Sequence, residues 1–286
     1  MGLPMARRLL QAGYRLSIYT RTPGKAESLV RDGARLATTA GQACVGATAV
    51  IAMTADDTTS QSAWLGPDGI LAANLAPRSF AIECSTLSHE WAKKLAVEAG
   101  NRGLRYIDAP VTGVPEDAAR GTLTLLVGAH SEDLDAARPL LSSFSDRVIR
   151  FGAPGAGTAY KLIVNLMGAV QIASAAEGLA IAERVGLDLK AVVDALATSQ
   201  AASPQVVRNT RRMAGDDHHR NVVFTPQLRL KDVEYALRLA RTVRIGSPFG
   251  LVARDELRQL CELSPEPVNE SRILEVARLQ KPRDNE

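Results

Sequence analysis

Lys161 and Asn165 stand four residues apart in Thr158-Ala159-Tyr160-Lys161-Leu162-Ile163-Val164-Asn165. On a helix that spacing puts both on one face. Most of the surrounding residues are apolar, so an amine there needs a partner or a cleft. Desolvation in a cleft lowers a lysine pKa toward the range where it gives and takes protons. The plainer reading is a lysine that snorkels away from the helix start. A second cluster lies near the beginning. Gly2 precedes a helical pattern over residues 3–12, and a helix N-terminus offers N–H groups to an anion. After the next strand comes Thr20-Arg21-Thr22-Pro23-Gly24-Lys25, where a dinucleotide fold would carry an acid for the adenosine ribose. No carboxylate is present. Arg21, with the hydroxyls of Thr20 and Thr22, suits a 2′-phosphate, so NADP(H) is expected and NAD is the second choice. A solvated basic turn is the alternative.

These groups need a scaffold, and the first half of the chain supplies one. Short apolar runs at residues 15–19, 48–53, 79–83, 104–107 and 123–127 read as strands. Helical patterns at 3–12, 23–32, 58–65 and 89–101 lie between them. Strands apolar on both faces, alternating with helices, predict a parallel sheet covered by helices. After Phe151-Gly152-Ala153-Pro154 no strand is evident. Helical periodicity runs from 158 to about 185, then over 189–197, 225–243 and 251–263. The reading is a Rossmann-type doubly wound α/β domain over 1–153, incomplete at its start, and an all-helical substrate and dimerisation domain over 154–286. A long helix joins them. The tail from Gln280 is polar and is expected to fray.

Composition narrows the field. Of 286 residues, 34 are Lys or Arg and 31 are Asp or Glu, a net charge of +3. That is too weak to point to nucleic acid, and aromatics are only 4%. Arg229, Arg238, Arg241 and Arg244 read as solvated helix positions or subunit contacts. Cys44, Cys84 and Cys261 are odd in number and widely spaced, which suggests neither disulfides nor a zinc site and fits a reducing cytoplasm. Cys84 reads as a packed thiol. The apolar stretch 162–182 carries Asn165, Gln171 and Glu177 and many small residues, so it reads as a core helix rather than a membrane span. Asp216-Asp217-His218-His219 has metal-ligand residue types without His-x-x-x-His spacing, and no metal is expected.

Asp108-Ala109-Pro110-Val111-Thr112-Gly113, with Gly155-Ala156-Gly157 and the run from Thr158 to Asn165, resembles the β-hydroxyacid dehydrogenase family. This group includes 3-hydroxyisobutyrate dehydrogenase, tartronate semialdehyde reductase and the glyoxylate and succinic semialdehyde reductases, and is related to 6-phosphogluconate dehydrogenase. The likeness runs from Gly2 to about Leu263. It implies an NAD(P)-dependent oxidoreductase of CH–OH donors acting on a small carboxylate, with Lys161 as general acid/base and Asn165 orienting it. Thr112 and Gly113 match the substrate turn. Gly2 and Leu3, Met53 and Thr54, Ser85 and Thr86, and Phe224 and Lys231 match cofactor contacts. Helix capping is an equal role for Ser85 and Thr86, and Asp56 or Asp57 is expected to cap a helix. A homodimer or homotetramer is also implied.

The sequence departs from the family in two places. Val114, followed by Pro115-Glu116-Asp117, replaces the usual second glycine of the substrate turn. The first strand and first two glycines of the dinucleotide unit are missing before Gly2. That predicts exposed sheet edges and an incomplete pyrophosphate cradle, and suggests that the sequence starts internally. Two other readings remain: an imine reductase, which Lys161 opposes, and an inactive nucleotide-binding paralogue.

Overall fold

The computed structural model describes residues 1–281; from Pro282 onward the expected frayed tail lies outside them. The chain divides into two compact units, Met1–Lys161 and Leu162–Glu286.

In the first unit, helix α1 (Gly2–Gln11) buries Met5 and Leu9, one turn apart, against the core. There follow β1 (Ser17–Ile18), α2 (Glu27–Arg31), β2 (Arg35–Leu36), α3 (Ala40–Ala43), β3 (Ala49–Ala52), α4 (Asp57–Leu65), β4 (Phe80–Glu83), α5 (His89–Asn101) and β5 (Arg105–Asp108). The unit continues with β6 (Val111–Thr112), α6 (Pro115–Arg120), β7 (Leu123–Gly128), α7 (Ser131–Leu141) and β8 (Ser145–Gly152). Strands β3, β4 and β5 are parallel neighbours, Ala49 facing Phe80 and Phe80 facing Arg105. The expectation of an all-parallel sheet needs one correction. Strand β7 runs antiparallel to β5 and β6, and parallel to β8. Only residues 113–122 connect β6 to β7, too few for the dozen or more that a parallel crossover needs.

The sheet is split. Strands β1 and β2 pair only with each other among the described residues, and β3 pairs only with β4. A cavity of about 2340 Å³ lies in this unit, lined by Leu16 and Ile18 on one side, Val50 and Ile51 on the other, and Met5 and Leu9 of α1.

The second unit is helical throughout its described residues. Helix α8 (Ala156–Arg184) starts in the first unit and runs into the second, followed by α9 (Leu189–Leu196), α10 (Pro204–Ala214), α11 (Pro226–Thr242), α12 (Pro248–Leu263) and α13 (Ile273–Leu279). By length and composition α8 could cross a membrane. Its Ala169, Ile172, Ala173, Ala176 and Leu179 instead form this unit's core with Val233, Leu237, Leu257 and Leu260. Burial in protein accounts for that part of the apolar run, while Ile163, Met167 and Ile181 of the same helix are exposed.

Candidate active site

The first turn of α8, just before Lys161, is fixed to the sheet. Asp108 ends β5, fully buried, and its Oδ1 accepts from the Gly155 N–H at 2.6 Å while Oδ2 accepts from the Thr158 N–H at 2.7 Å. A carboxylate in that position satisfies N–H groups that the helix leaves orphaned and opposes the positive end of its dipole. Gly157 allows the close approach, since any Cβ there would collide with the Leu126 carbonyl of β7. Tyr160 stacks on Phe151 at 3.9 Å between ring centroids. Lys161 follows directly and is half-buried. Burial raises the Asp108 pKa from 3.8 to about 6, and the two N–H bonds limit the rise. Asp108 belongs to the motif read from the sequence, but its capping role depends on residues about fifty positions away and has no local signal.

Most of the proposed cofactor residues of the first unit surround one cavity. Gly2 and Leu3 open α1; Thr20, Arg21 and Thr22 follow β1; Met53 and Thr54 follow β3. All seven line the cavity. Ser85 supports them from behind. Its Oγ accepts from the Thr54 N–H at 2.6 Å and lies 3.0 Å from Thr54 Oγ1. Ser85 is held by Glu83, whose Oε1 accepts from its N–H at 3.0 Å and its hydroxyl at 2.5 Å. Glu83 Oε2 accepts from Ser60 Oγ and Trp64 Nε1, both at 2.8 Å. With four donors converging, Glu83 acts as a pure acceptor; complete burial still pushes its pKa up. Nothing in the sequence reading singled Glu83 out. The available signal was a carboxylate ending an otherwise apolar strand.

The capping expectations resolve locally. Asp56 caps α4, with Oδ1 accepting from the Thr59 N–H at 2.8 Å. Asp57 accepts from the Ser88 N–H at 2.8 Å, and Ser88, rather than Ser85 or Thr86, caps α5. The Cys84 thiol is buried and its pKa is pushed up, first by burial and then by Glu83, so it stays protonated.

Thr112 ends β6, and Gly113 has φ +128°. A side chain there would be strained and would meet Leu123 and Asp117. Val114 leads into α6, and its N–H donates to Asp117 Oδ2 at 2.8 Å. The acidic loop is therefore a formed helix start.

In the second unit, Asn165, Lys231 and Phe224 belong to one network. Asn165 is buried and its Nδ2 donates to Asp232 Oδ2 at 2.6 Å. Lys231 Nζ lies 3.0 Å from Asp232 Oδ1. Arg229 packs over the Phe224 ring at 4.4 Å and donates to the Asn165 carbonyl at 3.2 Å. Its Nε and Nη2 grip Glu270 at 2.5 and 3.0 Å. Arg229 is 2% exposed, which corrects its reading as a solvated position. The sequence hid this, because the buried carboxylate opposite Arg229 is Glu270, 41 residues away. Arg238, Arg241 and Arg244 are exposed.

The first unit carries part of what a nicotinamide dinucleotide requires: a helix that starts at Gly2 and a basic, hydroxyl-bearing turn at residues 20–22, which border one cavity together with Thr54. The residues present fit that group.

Comparison with known proteins agrees. A family signature described as the NAD binding domain of 6-phosphogluconate dehydrogenase matches residues 1–152. A second, described as the NAD-binding of NADP-dependent 3-hydroxyisobutyrate dehydrogenase, matches residues 155–276. The chain belongs to the β-hydroxyacid dehydrogenase family. Within that family it is 33% identical over 268 residues to 3-hydroxyisobutyrate dehydrogenase of Pseudomonas aeruginosa, covering 89% of this chain and 87% of that one. It is 34% identical over 269 residues to the NAD-dependent L-serine dehydrogenase of the same organism, covering 91% and 89%. The structure of Mycobacterium tuberculosis 3-hydroxyisobutyrate dehydrogenase with L-serine superposes with a TM-score of 0.87 at 27% identity, covering 97% and 96%. As a member of this β-hydroxyacid dehydrogenase family, the protein is an oxidoreductase of CH–OH donors that uses a nicotinamide dinucleotide.

Proposed function

We propose that the protein is an NADP(H)-dependent dehydrogenase that interconverts a small hydroxyacid and its aldehyde or keto acid, with Lys161 as general acid/base. The observation that carries this reading is the first turn of α8, locked to the sheet by Asp108 immediately before Lys161. A bound nicotinamide supplies or takes up hydride at its C4. Lys161 Nζ gives or takes the proton at the substrate hydroxyl oxygen. Thr112 Oγ1, the Gly113 N–H and Asn165 hold the carboxylate end, so that the reacting carbon is positioned rather than merely bound. The 3-hydroxyisobutyrate and serine in the relatives' names support a small carboxylate. Val114 and the acidic start of α6 distinguish this pocket from the usual glycine turn. Ser85 and Thr86 line the nicotinamide side, and Phe224 and Lys231 contribute from the helical part.

The dinucleotide domain in this reading spans 1–153 and the substrate and dimerisation domain 154–286. Exposed Ile163, Met167 and Ile181 of α8 and Phe249 and Val252 of α12 support association of two or four copies. The free thiols of Cys44, Cys84 and Cys261 support a cytoplasmic setting.

Two variants test the assignment. Lys161→Ala should lower turnover about 10²–10⁴-fold, while NADPH still raises the melting temperature. Near-normal turnover would overturn the role of Lys161. Arg21→Ala should raise KM for NADPH about tenfold and leave NADH unchanged, the loss expected for a charge-assisted phosphate contact. An equal effect on both cofactors would overturn the 2′-phosphate assignment. Assays against semialdehydes and cyclic imines separate the alternatives. Reduction of imines alone supports the imine reductase, and cofactor binding without any turnover supports the inactive paralogue.

A further inference from the structure

Away from the dehydrogenase residues, the second unit buries an imidazole with one unused nitrogen. His218 is 3% exposed. Its backbone carbonyl accepts from the Asn269 N–H at 2.8 Å, and its Nδ1 lies 2.9 Å from the Ser271 hydroxyl, itself fully buried. Backbone and ring are thus both fixed. The other nitrogen, Nε2, is buried and makes no hydrogen bond. It faces carboxylates: Asp216 Oδ1 is 3.2 Å away, and ligand atoms of Asp216, His218 and Glu275 all lie within 4.8 Å of one another.

We propose that Asp216, His218 and Glu275 form a binding site for one Zn²⁺-class divalent cation. An Nδ1–H donated to Ser271 leaves the Nε2 lone pair bare, the tautomer a metal-bound histidine needs. Burial favours the neutral ring. One imidazole and two carboxylates suit zinc better than magnesium, which prefers oxygen alone and keeps its water. Tetrahedral ligands at zinc stand about 3.4 Å apart, so the carboxylates must close in slightly. Asp216 is exposed on a loop and can swing. Glu275 also accepts from Arg278 Nη1 at 2.5 Å, but Arg278 has a second acceptor in Glu183 at 2.9 Å and can release it. Arg272 adds positive charge nearby and weakens the site. A bound cation would clamp the 215–219 loop to α13.

The test uses the full chain after chelator treatment. Calorimetric titration with ZnCl₂ should show one site per chain and zinc should raise the melting temperature, while MgCl₂ at the same concentration does neither. Asp216→Asn and Glu275→Gln should each weaken zinc binding tenfold or more. Asp216 has φ +49° and is exposed, and asparagine tolerates that backbone, so the first variant will fold. His218→Ala should abolish binding if it folds, but the other two variants decide the matter without it. Absence of zinc binding, zinc-induced destabilisation, or equal affinity in Asp216→Asn and Glu275→Gln would each overturn the proposal. The site is independent of the dehydrogenase assignment, so neither result bears on the other.

Discussion

Two buried carboxylates in each unit, all close to the proposed site residues, are satisfied in opposite ways. In the first, Glu83 and Asp108 accept only from backbone N–H groups, hydroxyls and indoles. In the second, Glu270 is gripped by Arg229 and Asp232 is flanked by Lys231. The first solution fixes hydroxyls and a helix start without placing a buried cation near the site of a phosphate-bearing cofactor. The second neutralises charge outright and ties Asn165 to α11. Neutral donors leave a carboxylate sensitive to pH; a paired cation makes it sensitive to loss of its partner.

That contrast predicts the largest effect in the second unit. Arg229→Met should destabilise the protein by about 3–5 kcal/mol, because Glu270 would remain buried with only Arg208 Nη2 at 3.4 Å. Urea unfolding measures it, and a loss below about 1 kcal/mol would mean the pair behaves like a surface one. Asp108 gives the next effect, in pH dependence. Its folded pKa of about 6 lies above its ordinary 3.8, so the native state holds the proton more tightly. Its contribution to stability is therefore fully present below pH 3.8 and fades as pH rises through about 6, a span of about 3 kcal/mol. Stability curves of Asp108→Asn should lack this component; an unchanged difference between the two proteins across that range would break the comparison. Glu83→Gln comes last, at about 1–3 kcal/mol. An amide NH₂ must then face an indole N–H or a backbone N–H. The same variant should raise the cofactor KM more than it lowers kcat, through Ser85 and Thr54, and a reversed split would remove Glu83 from that chain.

Five strands of the first half were legible because each lies in a short apolar run, and β1, β3, β4, β5 and β7 fall where the runs place them; β2 and β6, two residues each, are too short to show as runs. Strand β8 was not, since Asp146, Arg147 and Arg150 face outward and mask it. Helix α10 escaped for a related reason: it buries Asn209 and Thr210 beside Val206 and Met213, so its inner face is partly polar. Lys161, Asn165 and the Thr112-Gly113 turn stand out in the sequence by local spacing and resemblance, and their roles belong to the proposed function. Glu83, Asp108 and the partner of Arg229 were not legible there, because each has partners 19 to 50 residues away in the chain. The grouping of His218 with Glu275 was hidden the same way.

The Asp108 clasp has a consequence for the first turn of the long helix. With the Gly155 and Thr158 N–H groups both held by one carboxylate at the end of β5, that turn cannot slide along its axis without giving up two hydrogen bonds at once. Lys161 follows Thr158 by three residues, so its backbone keeps a fixed height above the sheet of its own unit.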